Sequence, residues 1–565
     1  MTFNGKVASE PEKVCQLFAE KFAQTFCDEV IPVDQVTQAA QNVPIVVGSN
    51  FSRLNIDEAM ISRAASILKS STKLGPDGIP SAFLKKYIES LLTPLQLVFG
   101  LSLSSGIFPS AWKIAYMFPV HKKGERKDVN NYRGISSLCA ISKLFELVVM
   151  TPLLSHCKQY LSEDQHGFVS GRSTTSNLLC LTSYVAESMA DRAQTDVIYT
   201  DLSAAFDKIN HAITIAKLER LGISGCILRW CHSYLVGRKL IVTIDDFQAN
   251  AFLASSGIPQ GSHLGPLIFL LYFNDVNYVL KCPRLSFADD LKIYMKIRSM
   301  VDAICLQCEF DAFINWCNLN CMLVNPEKCS VISFARIRHP VIFNYKLCGT
   351  EIQRVDHVKD LGVILDSQLS FERHVSYIVD KASRTLGFIF RIAKDFTSVY
   401  CLKALYCSLV RSTLEYCSVV WHPYYQNGMV RIESIQRRFL RFALRRLPWQ
   451  NQYRLPDYES RCRLIHLETL HARRNIARAL FAADMLQGKI DCPAILREIN
   501  LNVRPRALRN NAMLRIPFQR TNYAQNSAIV GIQRAFNRVA AVFDFNLSRV
   551  AIRRHFSVFF TTNDD

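Results

Sequence analysis

Leu285-Ser-Phe-Ala-Asp-Asp-Leu-Lys-Ile-Tyr-Met295 is the stretch on which the fold turns. Apolar residues flank two adjacent acids, a pattern that predicts two short strands about a tight turn. Adjacent strand residues face opposite ways, so Asp289 and Asp290 can act together only if the pair lies on the turn. A lone Asp-Asp pair most often makes a solvated turn, because aspartate favours turns. Here a third acid stands 88 residues earlier, at the end of Val197-Ile-Tyr-Thr-Asp201, which reads as a short buried strand. Carboxylates at the ends of neighbouring strands are the donors that hard divalent ions such as Mg²⁺ take. Two such ions, about 3.5–4 Å apart, can stabilise the attacking and leaving oxygens of a phosphoryl displacement.

Between these acids runs Ser256-Gly-Ile-Pro-Gln-Gly-Ser-His-Leu-Gly-Pro-Leu267, with three Gly and two Pro ahead of the apolar run Leu267 to Phe273. Gly permits close backbone approach to a ligand and Pro fixes the path, so this loop could rest against a base pair. Further out, periodicity predicts a helix over 14–25, a loose linker over 36–50 and a helix over 56–70. Lys73 to Pro80 is a cluster of turn formers. Helices are expected through 81–160 around the basic loop His121-Lys-Lys-Gly-Glu-Arg-Lys-Asp128, and again over 203–221 and 300–320. Strands are expected at 329–334 and 361–365. After about 375 the chain reads as mostly helical, with a break at Trp421 to Gly428.

The chain has 565 residues, more than one compact core accommodates. Its formal charge is +19, unevenly spread: residues 431–565 hold 23 Arg and one Lys against ten acidic residues. Arginine forks onto phosphate and stacks on bases, so nucleic acid is the simplest partner for this region. On a helix predicted from Arg431 to Arg446, Ile432, Ile435, Phe439 and Phe442 lie on one side. Arg431, Arg438, Arg441 and Arg445 lie on the other, a pattern that a membrane-surface helix would share and that, in a chain acting on nucleic acid, would turn Arg438, Arg441 and Arg445 toward its backbone. No apolar run reaches the ~18 residues of a membrane span, and the first residues lack the features of a signal peptide. A nuclear or cytoplasmic protein without a membrane partner is expected, its 19 cysteines reduced. Cys305, Cys308, Cys317 and Cys321 have zinc-like spacing, but the first two fall in a helical pattern and are expected to be plain thiols.

Asp201-Leu-Ser-Ala-Ala-Phe-Asp207, Gly257-Ile-Pro-Gln-Gly-Ser262 and Phe287-Ala-Asp-Asp290 resemble, in order and spacing, motifs A, B and C of reverse transcriptases. The wider pattern is similar to that of non-LTR retrotransposons of the jockey-like group. Gly75 to Pro80, Lys122 to Gly124 with Asn131-Tyr-Arg133, Gln165 to Phe168 and Gly171 to Thr174 also match. Asn325-Pro-Glu-Lys328 resembles motif D, and Asp360-Leu-Gly-Val363 resembles motif E. The resemblance runs from about residue 56 to 425 and continues more weakly beyond.

The resemblance implies an α+β right-hand polymerase of fingers, palm and thumb, with a mostly helical C-terminal region. Residues 1–55 would be a helical lead-in and linker, 56–196 fingers, 197–374 palm, 375–430 thumb and 431–565 the basic C-terminal region. It implies an RNA-directed DNA polymerase with two Mg²⁺ ions, Mn²⁺ able to substitute, on Asp201, Asp289 and Asp290. RNA template, DNA primer or hybrid duplex and dNTPs are the implied partners. Lys122 and Arg133 would hold the triphosphate, and Phe206 would exclude a ribose 2′-hydroxyl by steric clash. Gln260 and Gly261 would touch the nascent base pair and template. Lys328 would protonate the leaving pyrophosphate. Gly134 departs from the family's Asn-Tyr-Arg-Pro and is expected to loosen the backbone behind Arg133. The group's usual endonuclease has no room in the residues before the match, so polymerisation without target nicking is expected. The rivals are a truncated or domesticated relic that binds RNA without catalysis, and a related RNA-copying or intron-encoded polymerase.

Overall fold

In the computed structural model, which describes residues 1–27, 31–46, 48, 50–445, 456–502 and 512–562, the central strand runs Gln194–Thr200. It is buried along nearly its whole length, and so it shows no polar–apolar alternation in sequence. It forms the middle of a five-stranded sheet. The hairpin Arg284–Phe287 and Asp290–Ile297 lies on one side, antiparallel, with Leu291 opposite Thr200 and Ile297 opposite Gln194. Ser330–Phe334 pairs antiparallel on the other side, and Gln353–Val355 closes the sheet in parallel. The register puts the end of the central strand beside the turn of the hairpin. Gly265–Phe273 is apolar all round because it is buried all round, within the same core as Phe310 and Phe313 of Met300–Leu319.

The helices expected through 81–160 are present as Ser81–Lys86, Ile88–Ser105 and Ala140–Cys157, but the residues flanking the basic loop form a second sheet. Ile114–His121 and Tyr132–Leu138 pair antiparallel, with the basic loop at their hairpin end. Ala115 and Met117 face the core, while the exposed Phe118 and Val120 are apolar too and mask the period of two. Arg238–Ile244 joins this sheet in parallel, so the sheet draws strands from both sides of the 196/197 boundary. The expected N-terminal helix is Pro11–Ala23, and it packs on this sheet. It sets Leu17, Phe18 and Phe22 against Met117, Leu240 and Val242. Part of the expected linker is the helix Val33–Ala40, packed against His211–Arg220, and the Val46 amide donates to the Arg220 carbonyl at 2.9 Å. The single helix expected over 203–221 is two, Ala205–Lys208 and His211–Arg220, the second capped by the Asn210 side chain.

Helices make up 53% and strands 15%, an α+β fold. Beyond Glu372 the described residues are mostly helical, apart from the short antiparallel pair Asn500–Leu501 and Leu514–Arg515, and the helices share a core with Leu178, Val185 and Val363. A thumb boundary at 430/431 falls inside the helix Gln426–Leu444, whose Ile432, Ile435 and Phe439 belong to that core. Arg446, at the end of the helix predicted there, lies outside the described residues. One helical stretch among the described residues, Ala140–Tyr160, is long and apolar enough to cross a membrane. Its Leu144, Phe145, Val148 and Val149 are packed in the core beside the buried Glu146.

Candidate active site

A cavity of about 330 Å³ lies between the two sheets. Asp201 and Asp289 line it from the five-stranded sheet, and Lys122 and Arg133 from the basic hairpin. Phe206, Gln260 and Lys328 complete the group. Seven of the twelve residues singled out from sequence thus meet in one space.

Asp289 reaches it through the hairpin turn. Phe287 pairs with Asp290, leaving Ala288 and Asp289 as the turn, with Ala288 at a left-handed φ of 57°. A two-residue turn has room for one of the acids. Asp290 is the first residue of the returning strand and does not line the cavity. The turn is clamped from below by Gln165. Its Oε1 accepts from the amides of Gly167 (2.8 Å) and Ala288 (3.0 Å), and its Nε2 donates to the Ala288 carbonyl (3.2 Å). Gly167 lies so close that a Cβ there would stand 2.2 Å from the Ala288 nitrogen.

Burial pushes the Asp289 carboxyl up, and the negative charge of Asp201 adds to this, while Arg133 and Lys328 oppose it. Asp290 is pushed up to about 6, by burial first and then by Asp289 and Asp201. Lys328 Nζ donates to Asp201 Oδ2 at 2.6 Å. The turn that carries Lys328 is docked by the Asn325 amide, which donates to the Asp201 carbonyl at 2.8 Å.

Phe206 follows Ala204, which takes a left-handed φ of 50° and turns the chain sharply after the strand. Its ring stacks on Phe269 at 4.5 Å and meets Phe168 edge-on at 6.0 Å, so its position is set by packing. The glycine-rich loop is sewn to this turn. Ile258 N–H donates to the Phe206 carbonyl at 2.9 Å, and Gly257 N–H to that of Ile209 at 2.7 Å. A Cβ on Gly257 would lie 2.8 Å from the Asp207 backbone. Gln260 Nε2 donates to Asp207 Oδ1 at 2.7 Å, which fixes the glutamine side chain. Gly261 is exposed beside the Ser136 carbonyl and is not part of the cavity lining.

Lys122 and Arg133 are exposed, and Arg133 is ladder-paired with Val120. Gly134 is held mid-strand opposite Pro119, and the Met117 thioether fills the space a side chain would take. The ladder, not the residue after it, holds Arg133. Arg438 and Arg441 are exposed on Gln426–Leu444 and Arg445 at its C-cap, and none of them lines the cavity.

The sequence reading missed Lys21, Phe22, Thr25 and Phe26, which wall the cavity from the N-terminal helix and the residues after it. The apolar stripe of that helix was visible, but nothing local says what it packs against. It also gave no role to Asp207 or Gln165. Outside the cavity, His166, Cys180 and Cys492 bring three buried ligand atoms within 4.8 Å of one another. Asp201, Asp289 and Asp290 do not form such a group, nor do Cys305 and Cys308, which are exposed.

Residues 120–365 match the family described as reverse transcriptase (RNA-dependent DNA polymerase). The chain is 24% identical over 455 residues to the probable RNA-directed DNA polymerase from transposon BS of Drosophila melanogaster, covering 77% of this chain and 50% of that protein. It is 28% identical over 423 residues to the RNA-directed DNA polymerase from mobile element jockey of the same species, covering 72% and 45%. It is 24% identical over 249 residues to a Pol polyprotein from a type-1 retrotransposable element R2 of Popillia japonica, covering 42% and 34%. The chain spans about half the length of the first two of these curated relatives.

Replacing Gln165 by Leu leaves two buried amides and a carbonyl without partners, at roughly 1–3 kcal/mol for each group. Hydrogen exchange at Ala288 and Gly167 is expected to quicken by about tenfold or more. Unchanged protection at both amides would show that the turn does not depend on the clamp.

Proposed function

We propose that the chain, whose residues 120–365 match the reverse transcriptase family, is an RNA-directed DNA polymerase of the non-LTR retrotransposon kind. It would add dNTPs to a primer 3′-hydroxyl along an RNA template. The observation that carries this reading is the single cavity in which Asp201 and Asp289 face Lys122 and Arg133. Acids at one wall and cations at the other match what a nucleoside triphosphate needs at its reacting and its leaving ends.

Asp201 and Asp289, which line the cavity, are the donor type that divalent ions take. The donors are carboxylate oxygens, and the upward pressure of Asp201 on Asp289, and of both on Asp290, is repulsion that a divalent cation relieves. Asp201 and Asp289 would hold Mg²⁺, or Mn²⁺ in its place, with Asp290 in support. When bound, such ions supply Lewis-acid stabilisation of the attacking and leaving oxygens.

The remaining roles belong to the chain's own residues. Arg133 offers a fork and Lys122 a point charge to the triphosphate. Phe206 would exclude a 2′-hydroxyl with its ring, and its stacking on Phe269 resists being pushed aside. Gln260, oriented by Asp207, lies against the nascent base pair, and Gly261 keeps the loop close to the template. Lys328 holds a proton on Nζ for the pyrophosphate and is anchored by Asp201 until then. Arg438, Arg441 and Arg445 present a charged face to the nucleic-acid backbone. All 19 cysteines are free thiols, which suits a nuclear or cytoplasmic setting.

Primer extension on a polyribonucleotide template with dNTPs and Mg²⁺ tests the reading. The wild type is expected to extend, and Asp289→Ala to lose at least ~100-fold in rate. A folded wild type that binds RNA and extends nothing would point to an RNA-binding relic instead. In the same assay, Ala at Arg438, Arg441 and Arg445 together is expected to weaken primer–template binding. The slope of log affinity against log salt should become shallower by roughly 2–3. Identical binding at every salt concentration would remove these arginines from the interface.

A further inference from the structure

The helical C-terminal region encloses a second cavity, of about 320 Å³, which shares no residue with the first. Arg478, His471 and Asn475 reach it from helix Leu470–Leu486, Arg534 and Arg538 from helix Ala528–Val539, and His422 from the turn after Trp421. Among the described residues no carboxylate lines it.

Arg478, the most deeply buried cation of its lining, and Arg474 behind it are poorly neutralised by the protein. Arg478 is 8% exposed, and its Nε has no hydrogen-bond partner. One helical turn earlier Arg474 is 1% exposed, and all three of its guanidinium nitrogens lack a hydrogen-bond partner. The carboxylate of Glu433 stands 3.8 Å from Arg474. That carboxylate is already engaged by the amides of His471 (2.5 Å) and Leu470 (3.3 Å) and by the Tyr458 hydroxyl. The neighbouring Arg473, by contrast, is fully served by Glu415 and Glu468. Burial, with the charges of Arg474 and Arg534, pushes the Arg478 guanidinium down to about 9. An unpaired buried cation is costly, so a folded chain that keeps one is prepared for an anion.

The packing around Arg478 points the same way. Gly531 lies on the facing helix, where glycine is unfavourable by about 1 kcal/mol relative to alanine. A Cβ there would stand 2.6 Å from the Arg478 Cζ, so the guanidinium needs that glycine. Burial first, then the neighbouring arginines, lower both His422 and His471, so neither ring adds charge at neutral pH. Asn475 donates to His471 Nε2 at 3.0 Å, leaving the other ring nitrogen as a hydrogen-bond donor.

We propose that this cavity binds a phosphate group, seated on Arg478 with the exposed Arg534 and Arg538 at its mouth. The same chemistry is offered by a nucleic-acid backbone and by a small free phosphate. The site stands whether or not the polymerase reading does.

Thermal unfolding of the full chain is followed in sodium phosphate and in sodium chloride at equal ionic strength. Phosphate is expected to raise the wild-type melting temperature in a concentration-dependent way, with chloride giving no such rise. Arg534→Ala, a surface change that spares the core, is expected to shift the phosphate midpoint upward by about tenfold or more. Arg478→Met is expected to abolish the response and, by removing an unpaired charge, to melt no lower than the wild type in chloride. Displacement of phosphate by a short single-stranded RNA, read by ³¹P line width, assigns the site to a nucleic-acid backbone. Phosphate binding that survives saturating RNA assigns it to a small phosphate. The site is overturned by the absence of a phosphate-specific rise, or by an equal rise in wild type and Arg534→Ala.

Discussion

Asp201 and Asp289 repel one another and are nonetheless presented to the same cavity, and that juxtaposition is what the surrounding structure maintains. The antiparallel pairing of Gln194–Thr200 with Asp290–Ile297 sets it, because Leu291 opposite Thr200 leaves the strand end and the hairpin turn side by side. A slip of one residue would turn every side chain of the hairpin to the other face. Several contacts guard this register. Gln165 ties down the turn, Lys328 neutralises Asp201, and the Asn325 amide docks on the Asp201 carbonyl. Beneath them Lys292 is ion-paired at 2.6 Å with the buried Asp360, and it also donates to Asn177 at 2.6 Å, which in turn donates to the Ser286 carbonyl at 3.1 Å. A buried ion pair of this kind adds little net stability but penalises every alternative arrangement that would leave one charge alone.

The opposite wall of the cavity obeys a different constraint. Its cations, Lys122 and Arg133, sit exposed on a stiff hairpin, where they stay hydrated and open to an anion. The N-terminal helix stiffens that hairpin from behind, burying Phe18 and Phe22 against Met117. Lys21, Phe22 and Phe26 therefore belong to the cavity through the same packing that stabilises the sheet. The position of Phe206 is likewise a packing property. Phe206 is held between Phe269 and Phe168, and a ring so confined can discriminate by shape.

Four of the five strands of the first sheet, all but Gln353–Val355, could be read from sequence because their signals are local. An acid ending an apolar run and an Asp-Asp pair in an apolar hairpin announce themselves within a few residues. The second sheet could not, since the apolar residues on its outer face, Phe118 and Val120 among them, hide the alternation. Asp290 shows the limit at the finest scale. Sequence placed both acids on the turn, and the backbone has room for Asp289 alone. The N-terminal contribution was invisible for another reason. An amphipathic helix declares that it packs, not on what, and its partner lies about 100 or more residues away in sequence. Arginine content in the C-terminal region pointed to a polyanion, but only packing separates arginines that are paired, such as Arg473, from those that are not, such as Arg478.

The account rests on the claim that the cavity holds a deoxynucleoside triphosphate, its sugar against Phe206 and its phosphates toward Arg133. The most direct measurement is competition between a dNTP and the matching NTP during primer extension, wild type against Phe206→Ala. The account predicts a strong wild-type preference for dNTP, and a variant that still extends with dNTP but loses that preference by roughly tenfold or more. An unchanged preference in the variant would contradict it, because the sugar would then lie somewhere other than against this ring.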